Sequence, residues 1–191
     1  MSEDKFMERR QIQLPLSEQA VRSLKAGELL ALSGPLYTAR DAAHKRLTET
    51  LQQGLPLTVD LQGQTIYYAG PCPAPPGQVI GSVGPTTSGR MDAYTPLLLQ
   101  HGLRVMIGKG QRSPDVIAAI QSYGAVYLGA TGGAGALLAR HVRSSEVIAY
   151  PDLGPEAIRR LVVVDFPVIV LIDTKGSNLY LSGPAQYRRD R

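Results

Sequence analysis

Gly84-Pro-Thr-Thr-Ser-Gly-Arg90 concentrates more candidate chemistry than any other stretch of this chain. Two glycines let backbone amides approach a ligand, three successive hydroxyls offer donors, and Arg90 adds a planar fork suited to a carboxylate. The segment leads into a helical pattern, whose start favours anions. A polar strand-to-helix turn capped by Thr or Ser accounts for the same residues equally well. It is not a phosphate-binding P-loop, because Gly89 is followed by Arg90 and Met91 rather than by Lys and Ser or Thr. Ile107-Gly-Lys-Gly110 is a second glycine turn, placed where a strand ends. Ligands of α/β domains collect at such ends, although an exposed loop lysine is the plainer account of Lys109. Thr131-Gly-Gly-Ala-Gly135 lacks the Gly-x-Gly-x-x-Gly spacing of a dinucleotide loop. Arg40 falls in the first turn of an expected helix, where the dipole disfavours a cation, and this suggests placement for a ligand.

The remaining reactive side chains carry less. His44, His101 and His141 are far apart and lack metal-ligand spacing. Cys72 lies in the proline-rich loop PCPAPPG with no basic neighbour to activate it, and as the single cysteine it excludes a disulfide framework. It equally excludes a zinc or iron–sulfur site made by this chain alone. Asp173 could orient a cation or simply close a turn with Gly176.

Elements able to position these groups follow from composition and pattern. The 191 residues are 43% apolar, 19% charged and 6% aromatic, which excludes intrinsic disorder. The 20 glycines and 14 prolines favour many short elements over a helical bundle. The net charge of +4 lies entirely after Thr95 and is too dispersed for a nucleic-acid arm. No run approaches the roughly 18 apolar residues of a membrane span, and the charged start, MSEDKFMERR, lacks a secretory core. A cytoplasmic protein without nucleic-acid or membrane partners is expected.

Alternation predicts a strand around Ile12 and Leu14, then a short helix capped by Ser17. A strand over 28–33 and a helix over 38–53 opened by Thr38 and Asp41 come next. Strands are expected over 65–69 and 78–83. Then strand 105–107, helix 113–123, strand 126–128 and helix 134–141 form a βαβα half with parallel strands. Strands at 146–149, 161–164 and 168–172, and a short one near Leu179, complete the reading. The expected organisation is a flexible leader over 1–10, one α/β domain over 11–182 with a mixed sheet, and a polar tail over 183–191.

Several motifs occur together in one known group of enzymes. Ser33-Gly-Pro-Leu-Tyr-Thr-Ala-Arg-Asp-Ala-Ala-His44, Tyr68-Ala-Gly-Pro71, Gly84-Pro-Thr-Thr-Ser-Gly-Arg-Met91, Gly108-Lys-Gly110, Asp152-Leu-Gly154 and Val164-Asp-Phe-Pro167 follow the order seen in the iron–sulfur hydro-lyases. The chain resembles the β subunit, or the equivalent C-terminal domain, of class I fumarate hydratase and L-tartrate dehydratase over Leu14–Leu181. That resemblance implies a swivelling β/β/α layered domain closing over a site shared with an α subunit. The α subunit would carry the cysteines of a [4Fe–4S] cluster, so this chain would hold no metal. It further implies Arg40, Arg90 and Lys109 as contacts to a dicarboxylate, Thr86 as the catalytic base and Thr87 as a lining residue. His44 is read as a packing residue. The implied assembly is a homodimer alone and α2β2 with the partner. Fumarate hydration is the leading expectation; tartrate dehydration and a non-catalytic anion-binding module are the alternatives.

Overall fold

The computed structural model describes residues 9–188. β1 (Arg10–Gln13) and α1 (Glu18–Ser23) open the chain, with the Ser17 hydroxyl accepting from the Ala20 amide as expected of the cap. β2 (Leu29–Thr38) is longer than its expected strand and runs through Gly34-Pro35. Its register shifts between Leu32 and Gly34, where φ is +121° and an added side chain would meet the Leu14 carbonyl oxygen at 2.7 Å. Only glycine allows β1 to leave β2 so closely.

α2 (Asp41–Gln52) begins three residues later than expected. Thr38 ends β2 instead of capping the helix, and Arg40 is the cap residue rather than part of the first turn. The Ala42 amide donates to Glu156 Oε2 at 2.7 Å, so a carboxylate from a distant turn does the capping that Thr38 and Asp41 were expected to do.

β3 (Thr65–Tyr67) is followed by no second strand over 78–83. Prolines 71, 73, 75 and 76 remove amide donors, and Gly81 packs directly on the Cys72 and Pro73 backbone. A single bond, Cys72 N to Ser82 O at 2.9 Å, ties the two limbs of the loop. α3 (Thr95–Gln100), β4 (Val105–Gly108), α4 (Pro114–Tyr123), β5 (Val126–Gly129) and α5 (Gly135–Ala139) then bear out the alternating half. The α4 ends match the sequence in detail: Ser113 accepts from the Val116 amide, and Gly124 is left-handed at φ 61°.

β6 (Val142–Ala149) pairs with β7 (Ile158–Ile172), a single strand of 15 residues where two were expected. The Asp165-Phe-Pro167 break is absorbed as a bulge. Asp165 sits at φ +51° and its amide donates to Ser33 Oγ opposite the β2 irregularity. α6 (Leu179–Tyr187) replaces the expected short strand, with Asn178 capping it through the Tyr180 amide. Residues 1–8 of the expected leader and 189–191 of the expected tail lie outside the described residues.

The seven strands form one mixed sheet in the order β1-β2-β3-β4-β5-β7-β6, so the chain is α/β as expected. β1 to β5 are parallel neighbours, whereas β7 runs antiparallel to β5, β6 and β2. Because β7 pairs with both β5 and β2, the strands β2-β3-β4-β5-β7 close into a ring. Strand periodicity divides the core accordingly. Tyr67, Val105, Ile107, Val126, Leu128 and Phe166 pack inside. Ile66, Tyr68, Met106 and Tyr127 point outward against α2, α3 and α4, which contribute Leu47, Leu98, Leu99, Val116 and Ile120. Ser113→Ala should lower stability by about 1 kcal/mol and the melting temperature by about 3 °C in calorimetry, because it removes one cap and no core contact.

Candidate functional site

The candidate groups gather where β2, β3, β4 and β5 reach their C-terminal ends. The Thr86 amide donates to the Tyr68 carbonyl at 2.7 Å, one residue beyond β3. Thr87 bridges to Lys109 as a parallel pair, the Ser88 amide donates to the Lys109 carbonyl at 2.8 Å, and the Lys109 amide returns a bond to Ser88 Oγ at 3.1 Å. The threonine loop and the glycine-lysine turn are therefore stitched together by backbone. Gly108 is essential to this: Ser88 Oγ and the Tyr68 ring occupy the space a Cβ would take. Thr86 and Lys109 are half-buried, whereas Thr87 is exposed. The expected helix is present as α3, but it starts at Thr95; directly after the loop stands only a 3-10 turn, Ser88–Met91, too short for a dipole to matter.

Arg40 and Arg90 converge through Asp41. Its Oδ2 takes Arg40 Nε at 3.1 Å and its Oδ1 takes Arg90 Nε at 2.8 Å; Glu156 Oε1 lies 3.5 Å from Arg40 Nε. Partial burial would raise the Asp41 pKa, but its own backbone amide and the two guanidinium groups overcome this and hold it below the usual carboxylate range. Gly70 leaves room for the Arg40 side chain, whose Cδ would lie 3.0 Å from an added Cβ. Three cations thus face two carboxylates, and Lys109 has no carboxylate partner among the described residues.

Sequence reasoning missed Asp41, Glu156 and the buried cation Arg112. The Arg112 side chain has no exposure; its Nε donates to Asp92 Oδ1 at 2.7 Å and its Nη2 to Thr95 Oγ1 at 2.8 Å. It also lies over the rings of Tyr68 and Tyr127, at 5.4 and 4.9 Å. Tyr127 in turn donates its hydroxyl proton toward Ser88 Oγ or the Gly110 carbonyl, both at 2.9 Å. A buried ion pair therefore stands directly beneath the stitched loops. An arginine after a glycine turn gives no sign of burial in the sequence, since arginines are usually exposed.

His44 is fully buried, edge-on to Tyr68 at 5.0 Å, with Nδ1 at 3.1 Å from the Arg40 carbonyl. Burial lowers its pKa to about 4, aided by the Arg112 charge and opposed by the Arg40 carbonyl. It is a neutral packing group under Arg40, in line with its expected part. His101 is exposed, and His141 contacts the Val164 carbonyl. Asp173 closes its turn, accepting from the Lys175 and Ser177 amides. Gly132 of the third glycine loop lies beside Lys109, whose Cδ an added Cβ would approach to 3.4 Å. Among the described residues no group of three or more His, Cys, Asp or Glu side chains could hold a metal ion. With Cys72 as the single cysteine, these residues do not fit an iron–sulfur cluster.

Comparison with known proteins decides the family. The profile described as Fumarase C-terminus matches residues 1–183. The chain belongs to that family. Relatives of this fumarase C-terminal group include the anaerobic class I fumarate hydratase of Escherichia coli K12, 44% identical over 153 residues covering 79% of this chain and 28% of that protein. Fumarate hydratase 2 of Leishmania major is 40% identical over 164 residues, covering 85% of this chain and 29% of that protein. The chain thus spans less than a third of these enzymes. The putative L(+)-tartrate dehydratase subunit beta of Methanocaldococcus jannaschii is 38% identical over 171 residues, covering 86% of this chain and 88% of that protein.

The buried neutral His44 makes stability depend on pH. Its pKa is lowered on folding, so the unfolded chain binds the extra proton as pH falls from about 6.5 towards 4, and up to about 3 kcal/mol is lost across that window. Denaturant titrations at pH 7, 6, 5 and 4 should show this decline, and His44→Gln should flatten it.

Proposed function

We propose that this chain is the β component of a two-part hydro-lyase acting on a four-carbon dicarboxylate, fumarate hydration to malate being the reaction favoured. The observation that carries the reading is the convergence of Arg40 and Arg90 on Asp41 beside the backbone-stitched Thr86–Lys109 loops. Asp41 uses the Nε edges of both arginines, so their Nη groups remain the natural contacts for substrate carboxylates, with Lys109 as a third. Thr86, on the same loop as Arg90, would offer its hydroxyl for proton transfer at the carbon next to the one bearing the hydroxyl. An alcohol is a weak base, and the nearby positive charge favours the alkoxide that this role requires. Thr87 lines the same mouth.

The charge balance supports a shared site. Asp41 and Glu156 offset two of the three cations, so this corner presents a surplus near +1, half of what a dianion needs. The partner would supply the rest, together with the [4Fe–4S] cluster, whose open iron would assist departure of the hydroxyl. A relative of nearly this length bearing the name of a beta subunit favours that division of the enzyme. In this reading the closed ring moves as a swivelling β/β/α unit in the cytoplasm, a homodimer alone and α2β2 when assembled. The same relative favours tartrate as the second substrate to test.

Anaerobic mixing with a cluster-bearing α partner should give turnover of fumarate, and comparison with malate and tartrate should rank the substrates. A cluster-loaded complex that turns over none of them would overturn the proposal. Arg90→Lys should reduce kcat/KM by about a hundredfold or more, because an ammonium cannot both hold Asp41 and present a fork to a carboxylate.

A further inference from the structure

Apart from the candidate site, the proline-rich loop borders a further concavity. A cavity of about 270 Å³ is lined by Pro71, Cys72, Val79, Ile80, Ser145 and Arg159, with Pro155 at its edge. Its polar groups are unsatisfied. Arg159 Nε and Ser145 Oγ are buried without a hydrogen-bond partner. Thr38 stands directly opposite Arg159 in the β2–β7 ladder and so shares its face; its hydroxyl is fully buried and also has no partner. Native proteins rarely leave three such groups in one place, since each loses its water without compensation. Arg159 forms no ion pair among the described residues, so its charge is uncompensated there as well.

We infer that this cavity binds a small monocarboxylate, its carboxylate on Arg159 and the Ser145 hydroxyl and its alkyl end against Val79, Ile80 and the prolines. One guanidinium neutralises one negative charge, and the Ser145 hydroxyl adds a donor to the same carboxylate. The opposite wall is apolar, so a second carboxylate would be buried there without a counter-charge. The cavity therefore discriminates against the dicarboxylates assigned to the neighbouring site. Occupancy bears on that site, because Pro155 precedes Glu156, the carboxylate beside Arg40 that also caps α2.

Cys72 is exposed on the rim and is the chain's single thiol, so its alkylation reads the cavity without any activity assay. With the full chain, butyrate should slow iodoacetamide labelling several-fold, with half the effect at about 1 mM, an affinity within reach of a ligand of that size. Succinate should need at least about tenfold more, and butan-1-ol should have no effect at matched concentration. Arg159→Met should abolish the protection. Should that variant fail to fold, Ser145→Ala, a small change on the outer strand β6, should weaken it. Labelling unaffected by butyrate, or slowed equally by succinate and butyrate, would overturn the inference.

Discussion

Closure of the sheet through β7 is the constraint on which the other features depend. One edge of this long strand runs along β2 from Thr38 to Leu29, while the other serves β6 and then β5. The parallel series β2-β3-β4-β5 consequently cannot splay, and its C-terminal ends form a rim of fixed spacing. Backbone atoms make the ring, so its shape tolerates side-chain change better than a site built on a single loop. The bulge at Asp165 opposite Gly34 lets two irregular strands stay paired over so great a length.

On that rim, charge is arranged in two tiers. The lower tier is the buried Arg112 with the largely buried Asp92, the guanidinium lying against the rings of Tyr68 and Tyr127. Buried pairs of this kind contribute little net stability, because desolvation cancels most of the attraction. Their value here is positional: losing either partner would strand a charge under the loops that hold Thr86 and Lys109. In the upper tier Asp41 keeps two arginines side by side that would otherwise repel. In the function proposed above, two like charges so placed would receive an anion with little further reorganisation.

The local features of the chain were legible where a short-range rule governs them. Ser17 and Ser113 cap helices because their hydroxyls reach amides three residues on, and Pro114 and Gly124 mark the ends of α4. The β4-α4-β5 alternation reads directly because its strands are wholly apolar. Errors arose where distant partners override the local pattern. The stretch 78–83 has strand composition but faces a loop whose prolines give no donors. Asp165-Phe-Pro167 reads as a strand break, yet Ser33 accepts the Asp165 amide and keeps the strand continuous. Residues near Leu179 read as a strand, yet Asn178 caps a helix there.

The sequence by itself determined the family, as the match to Fumarase C-terminus bears out, and marked Arg40, Thr86, Thr87, Arg90 and Lys109 as residues of interest. It also determined the alternation of strand and helix in the second half. Only the tertiary structure decided that Asp41 joins the two arginines, that Glu156 caps α2 from across the fold, that Arg112 is buried, and that Arg159 and Ser145 line one cavity. Each of these is a contact between residues far apart in the chain. Local propensity acts over a few residues, whereas the burial and pairing of a charge depend on what the closed ring brings beside it.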